Sequence, residues 1–166
     1  LDSQGSMTSI MGGKVTDEWQ TVFPLLARDY AMHVQAENAV RAAAGQAELP
    51  LDETLTEALQ VSPRNLIQKT HWPNIDLIGA QLNLYWAEFQ VPVWRMQMRN
   101  WALWDALGNA LTETGIVNDY DIILLDTPPA LGYLTINALS AADILLVPLG
   151  ASFLEFDSTG RFFDMI

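Results

Sequence analysis

The chain has 166 residues, half of them apolar, with a formal charge of −12 and no cysteine. That is the length of one domain with side chains enough for a substantial core, and it excludes disulfides and thiolate metal sites. The acidity argues against tight nucleic-acid binding by this stretch alone, which takes an excess of lysine and arginine to displace counterions from phosphates, so any DNA contact has to come from elsewhere.

No run approaches the roughly 20 uninterrupted apolar residues that span a bilayer. The N-terminus has no basic segment followed by an apolar core and a cleavage site, so a soluble, cytoplasmic protein is expected. Residues 1–6 read as a strand end running into a polar turn, with Ser6 or Thr8 able to cap the next element. From Asp17 to Ala44 the spacing of Trp19, Val22, Phe23, Leu26, Tyr30 and Val34 predicts a helix, with Pro24 complicating its start. Gly45 to Pro50 breaks it. A short helix is expected over 52–59, with Leu55 and Leu59 inward, and 61–74 reads as connection.

Ile75-Asp76-Leu77-Ile78-Gly79 is a short strand candidate, followed by a helix through Leu82, Tyr85, Trp86 and Phe89 and then a proline-interrupted segment. Asn100 to Thr114 reads as a helix, because Trp101, Trp104, Leu107 and Leu111 recur at helical spacing and Gly115 supplies an end. A strand over 120–126, a helix through Leu134 and Leu139, and a strand over 143–148 complete the alternation. Apolar strands alternating with helices predict a three-layer α/β fold, a largely parallel sheet flanked by helices, in one domain. The chain stops inside an amphipathic segment whose Phe153, Phe156, Phe162 and Phe163 no later element covers. The fold is therefore expected to be incomplete at both ends, an internal fragment.

The most informative residue is Asp126, which ends the run Tyr120-Asp121-Ile122-Ile123-Leu124-Leu125-Asp126 and is followed by Thr127-Pro128-Pro129. A buried strand ending in aspartate delivers a carboxylate to the edge of a parallel sheet, where nucleotide phosphates and their magnesium sit. From the residues alone, an aspartate capping the next helix or turn remains the alternative. The two prolines favour a rigid loop, since they remove amide donors that a helix cap would use.

These residues resemble the ParA family of partition ATPases, within the deviant Walker A group of P-loop proteins. Asp126-Thr127-Pro128-Pro129 is similar to the family's Walker B and switch II segment, and Leu1-Asp2-Ser3-Gln4-Gly5-Ser6-Met7-Thr8 to the end of its switch I motif. Pro73 to Gly79, Asn137-Ala138-Leu139 and the strand ending at Pro148 extend the resemblance across nearly the whole chain. Residues 120–163 resemble in particular the RepA partition proteins. The resemblance implies switch I at 1–8, a variable helical region over about 17–115, and Walker B with switch II at 120–129.

It also implies ATP and Mg2+ as ligands, with Asp2 orienting the attacking water, Asp126 holding magnesium, and Gln4, Gly5, Thr127, Pro128 and Pro129 as nucleotide and switch residues. It implies a homodimer across ATP, a ParB-like centromere-binding partner, and nonspecific DNA binding through regions outside this chain. In the complete protein, plasmid or chromosome segregation on the nucleoid would result, with no membrane contact. A MinD-like deviant Walker A ATPase is the alternative within the enzymes, disfavoured by the Asp-Ser-Gln-Gly wording of switch I. A noncatalytic α/β interaction module without a P-loop is the alternative outside them.

The departures from the family are specific. No GxxxxGK[ST] occurs, and Gly12-Gly13-Lys14-Val15 lacks both the first glycine and the hydroxyl after lysine. The phosphate-binding loop is expected upstream of Leu1, and Ser3 replaces the usual proline. The fragment alone is expected to be inactive. His33 and His71 are read as having no carboxylate or second histidine at ligand spacing, and no metal role is expected of them. The tryptophans read as helix packing, with Trp86, Trp94 and Trp101 as a candidate exposed surface. Arg95 and Arg99 read as solvated charges, and Ser6 and Thr8 as caps.

Overall fold

The structure, a computed structural model, describes residues 6–128, 130–148 and 153–165. Its elements in chain order are α1 (Ser6–Ile10), α2 (Phe23–Ala43), α3 (Glu53–Gln60), β1 (Gln68–Lys69), β2 (Asp76–Leu77), α4 (Ala87–Gln97), α5 (Ala106–Glu113), α6 (Tyr133–Ala141) and α7 (Phe153–Met165). Short 3-10 turns precede α2 at Glu18–Gln20 and α4 at Leu82–Trp86. Among the described residues no helix is long and apolar enough to cross a membrane.

The expected helix from Asp17 starts instead at Phe23. Pro24 lies in its first turn, where a missing N–H has no helical partner to lose. The Phe23 N–H goes to Thr21 Oγ1 at 3.1 Å. At the other end Gly45 takes a positive φ of 66°. The Gly45 and Gln46 N–H groups donate back to the Ala42 and Arg41 carbonyls at 3.2 and 2.9 Å, a Schellman closure. α3 begins at Asp52, whose Oδ1 accepts the Leu55 N–H at 2.9 Å.

One face of α2 supplies the centre of the core. Leu25, Leu26, Tyr30, Ala31 and Val34 are buried there together with Leu55, Leu107 and Leu111 from α3 and α5. Tyr30 stacks on Trp94 of α4 with ring centroids 5.2 Å apart, and meets Trp101 at 4.8 Å. Trp94 and Trp101 are buried, so only Trp86 of the expected exposed trio lies at the surface. Losing either buried indole would cost about 3–5 kcal/mol, which makes these rings core rather than docking surface.

Two helices differ from expectation near this wall. α4 continues through Pro92, where the sequence predicts an interruption. Val91 and Trp94 on either side of Pro92 are buried, and that packing outweighs the missing N–H. α5 is shorter than predicted, because residues 100–105 form turns that direct Trp101 into the core rather than along a helix face.

The sheet departs most from expectation. β1 and β2 pair antiparallel, Gln68 with Leu77 and Lys69 with Asp76, so the predicted strand at 75–79 shortens and finds its partner in the presumed connection. One isolated parallel bridge joins Thr21 and Gly79. Residues 122–128 and 144–148 carry no helix or strand, and no three-layer parallel sheet forms among the described residues. Ile122, Leu124, Ile144 and Leu146 are left exposed at 76, 86, 84 and 82%. Strands apolar on both faces are stable only between neighbouring strands and covering helices, and the described residues supply neither here.

α6 packs on α5 through a buried amide. Asn137 Oδ1 accepts the Leu107 N–H at 3.1 Å, and its Nδ2 donates to the Leu103 and Tyr133 carbonyls at 2.9 and 3.0 Å. All of the amide's main bonding capacity is thus spent inside the protein, which fixes the relative rotation of the two helices.

Asp29 is the unusual core residue. It is 2% exposed, accepts the Trp101 Nε1–H on Oδ2 at 2.7 Å, and leaves Oδ1 buried without a partner. His33 lies one turn on, its Nδ1 3.7 Å from Oδ2, so this histidine does have a carboxylate neighbour, contrary to the reading of the sequence. Burial pushes the Asp29 carboxyl above its ordinary value, while Trp101, His33 and Asn109 pull it down and Glu113 adds to the rise. A carboxyl raised on folding contributes stability that is complete below the unfolded pKa and lost as pH rises through the folded one. Asp29→Asn removes that titration and keeps an oxygen for the indole. Thermal melts should show the variant gaining on wild type as pH rises from about 4, the unfolded carboxyl value; parallel curves would mean that Asp29 does not titrate in this way.

Candidate functional site

Asp126 is exposed, in the irregular stretch after Tyr120, while Thr127 and Pro128 are half-buried. Asp2, Gln4, Gly5 and Pro129 lie outside the described residues. Leu125 packs against the core cluster, so Asp126 is the first residue beyond a core contact. Among the described residues no lysine or arginine pairs with Asp126, and no group of three or more histidine and carboxylate side chains gathers into a metal cage. A solvent-facing, unpaired carboxylate fits a magnesium ion that keeps most of its waters and takes its remaining ligands from phosphates. It does not fit an all-protein site.

The stretch that carries Asp126 is held at both ends. At its start the Tyr120 hydroxyl donates to Asp76 Oδ2 at 2.8 Å, and Lys69 Nζ donates to the same oxygen at 2.8 Å. Lys69 and then Tyr120 hold the Asp76 carboxyl below its ordinary value. Partial burial and the Asp76 carboxylate together push the Tyr120 hydroxyl up to about 12. Tyr120 therefore remains a neutral donor throughout the neutral range, and the short antiparallel pair serves as its anchor.

At its far end lies α6, whose N-cap is Gly132 and which has no side-chain cap of its own. The first N–H groups of a helix need acceptors, and here they come from α4. Glu88 Oε2 accepts the Tyr133 N–H at 2.6 Å and Oε1 accepts the Leu134 N–H at 3.0 Å. Thr135 Oγ1 donates to the Ala130 carbonyl at 2.6 Å, tying the same turn back to the loop. Glu88 is the residue that sequence reasoning missed. A signal was available: Gly132 precedes an apolar helix where Ser, Thr, Asp or Asn would normally stand, so a cap had to come from another element.

The segment after residues 1–5 is also fixed. Thr8 Oγ1 donates to the Ala80 carbonyl at 3.0 Å and accepts the Ala80 N–H at 2.8 Å. Thr8 thus clamps α1 to the segment after β2 instead of capping a helix. Gly12, with φ of 77°, turns the chain at the end of α1, and the Lys14 N–H donates to Gln68 Oε1 at 3.0 Å. Gly12, Gly13 and Lys14 therefore serve a turn that follows α1 and is tied to β1 through Gln68. A cleft of about 420 Å³ opens between α1 and residues 80–82, lined by Lys14 among others but by none of Asp126, Thr127 or Pro128. Arg95 donates to the Met98 carbonyl at 3.3 Å, closing the end of α4.

The chain is similar to known proteins. Residues 1–166 match the family profile described as an AAA domain. The chain is 35% identical to a putative replication protein A of Sinorhizobium fredii strain NGR234, over 73% of the chain and 31% of that protein. It is 31% identical to the sporulation initiation inhibitor protein Soj of Bacillus subtilis, over all of the chain and 50% of Soj. It is 36% identical to the chromosome partitioning protein ParA of Caulobacter vibrioides, over 54% of the chain and 31% of that protein. The chain thus spans between 31 and 50% of the length of these relatives. It belongs to the ParA family of partition ATPases, an AAA-type P-loop family of α/β fold.

Proposed function

We propose that this chain is part of a DNA partition ATPase that hydrolyses ATP with magnesium to segregate plasmid or chromosome copies. The observation that carries the reading is Asp126: an exposed carboxylate, without an ion-pair partner among the described residues, on a loop anchored at both ends, in a chain that matches the family throughout. Residues 1–8 would form switch I, about 17–115 the variable helical region, and 120–129 Walker B with switch II. The exposed apolar side chains at 122–124 and 144–146 support these stretches as strands of a parallel sheet in the complete protein.

In that protein Asp126 would hold magnesium, generally through a water. Magnesium, when bound, offsets charge on the β and γ phosphates. Asp2 would orient the attacking water, accepting one of its protons in a hydrogen bond so that an oxygen lone pair faces the γ-phosphorus. Gln4 and Gly5, and with them Thr127, Pro128 and Pro129, would form backbone that responds to the γ-phosphate, and loss of that phosphate would release it. The deviant Walker A loop would come from outside this chain, since Gly12 to Lys14 form a turn. The chain's acidity is consistent with placing the DNA-binding surface elsewhere too. Dimerisation across ATP, a ParB-like partner and a cytoplasmic, nucleoid-associated location complete the proposal.

In the full-length protein, Asp126→Ala is expected to lower magnesium-dependent hydrolysis by at least about 100-fold, the scale of losing one electrostatic contact to developing charge. A steady-state ATPase assay that finds normal turnover would assign this carboxylate another task. Asp2→Ala is expected to keep ATP binding, measured by equilibrium titration, while blocking turnover. Loss of binding in a folded protein would contradict its role.

A further inference from the structure

The strongest unassigned feature outside the proposed site residues is the carboxylate of Glu88. It belongs to the first turn of α4, yet both its oxygens are spent on the first two N–H groups of α6. A carboxylate at a helix N-terminus gains from the charge-assisted bonds and from the helix dipole, so this contact is stronger than a neutral cap.

Gly132 gives independent support. Its φ of −100° and ψ of −176° are open to any residue, so the backbone does not call for glycine. A β-carbon there would sit 2.5 Å from Glu88 Oε1 and 2.6 Å from its carboxyl carbon. The glycine therefore makes room for the carboxylate. The chain from Asp126 to Gly132 is short, Pro128 restricts its φ, and Thr135 holds the Ala130 carbonyl. A shift in the first turn of α6 therefore moves Ala130, four residues beyond Asp126.

We propose that Glu88 is the positioning residue of the Asp126 loop: by capping α6 from α4, it sets where the loop's C-terminal end lies and hence where the Asp126 carboxylate is presented. Gly132 is its structural complement. The inference rests on the reading of Asp126 as the magnesium-holding carboxylate and adds a control point in the helical region. Glu88 itself touches neither substrate nor metal, and its effect is on geometry. A displacement near an ångström is enough to cost about 100-fold in a reaction that depends on alignment.

The test uses the full-length ATPase with four variants, Glu88→Ala, Glu88→Gln, Gly132→Ala and the Glu88→Ala/Gly132→Ala double variant. Each is read by ATP turnover and by NMR hydrogen exchange at the Tyr133 and Leu134 amides. Glu88→Ala is expected to speed exchange at those amides and to lower kcat about tenfold or more, with KM for ATP near wild type, because alignment and not binding is lost. Gly132→Ala, which keeps Glu88 but fills its space, should reproduce both effects. The double variant should be no slower than the slower single variant, since both remove the same contact. Glu88→Gln retains one acceptor oxygen and should fall between wild type and Glu88→Ala.

Unchanged amide exchange in Glu88→Ala would overturn the proposal, as would faster exchange with wild-type kcat, or losses that add in the double variant. Asp126→Ala assayed alongside separates the two layers. If it is inactive while Glu88→Ala turns over normally, only the positioning role fails. If Asp126→Ala turns over normally, the site reading fails and this inference with it.

Discussion

A helix that starts without a side-chain cap leaves backbone donors that some other element must satisfy, and in this protein that need joins the helical region to the candidate site. α6 starts at Gly132 and takes its acceptors from Glu88 on α4. An ordinary side-chain cap is worth about 1 kcal/mol and is local to its own helix. Here the cap comes from an element 45 residues earlier in the chain, so the start of α6 cannot shift independently of α4. The loop that ends in α6 inherits that constraint.

α4 can serve as a fixed reference only because it is itself held on α2. Tyr30 lies between Trp94 and Trp101, and the Trp101 indole donates to Asp29 on the same helix as Tyr30. A buried carboxylate is costly unless hydrogen-bonded, and Asp29 meets that cost only in part, with one oxygen satisfied and one left without a partner. What the bond provides is direction: the turn over 100–105 is pinned against α2, and α5, next in the chain, meets the buried amide of Asn137 on α6. The order of dependence therefore runs from the aromatic wall to α4 and α5, then to the start and the middle of α6.

Apolar side chains stand uncovered in the stretches around Asp126 and after Asp143. Ile122, Leu124, Ile144 and Leu146 face solvent, while Leu125, between the first pair and Asp126, packs on the core. Leu125 holds its segment against the core by one face. Its other face is apolar surface of the sort that soluble proteins normally cover. The chain spans 31 to 50% of the length of the three relatives compared above.

Local signals supplied much of this protein directly. The Pro24 and Gly45 boundaries of α2, the Asp52 cap of α3 and the apolar face through Leu26, Tyr30 and Val34 are all short-range effects of φ restriction, capping and periodicity. The family was legible too, because Asp126-Thr127-Pro128-Pro129 and the switch-like residues before α1 are contiguous motifs. Features that depend on a partner distant in sequence could not be read. Gln68 and Lys69 look like connection until Leu77 and Asp76 lie beside them, and Trp101 looks like a helix-face residue until Asp29 draws its indole inward. Pro92 looks like a breakpoint until the packing of Val91 and Trp94 outweighs it. By itself, then, the sequence determined the helices with local boundaries and the motif around Asp126 on which the family resemblance rests, because those depend on residues a few positions apart. Tertiary structure alone decided which groups fix that carboxylate's loop, Tyr120 on Asp76 at one end and α6 on Glu88 at the other. A hydrogen bond across 44 or 46 residues has no periodicity and no motif, and it exists only once the core has brought its two partners together.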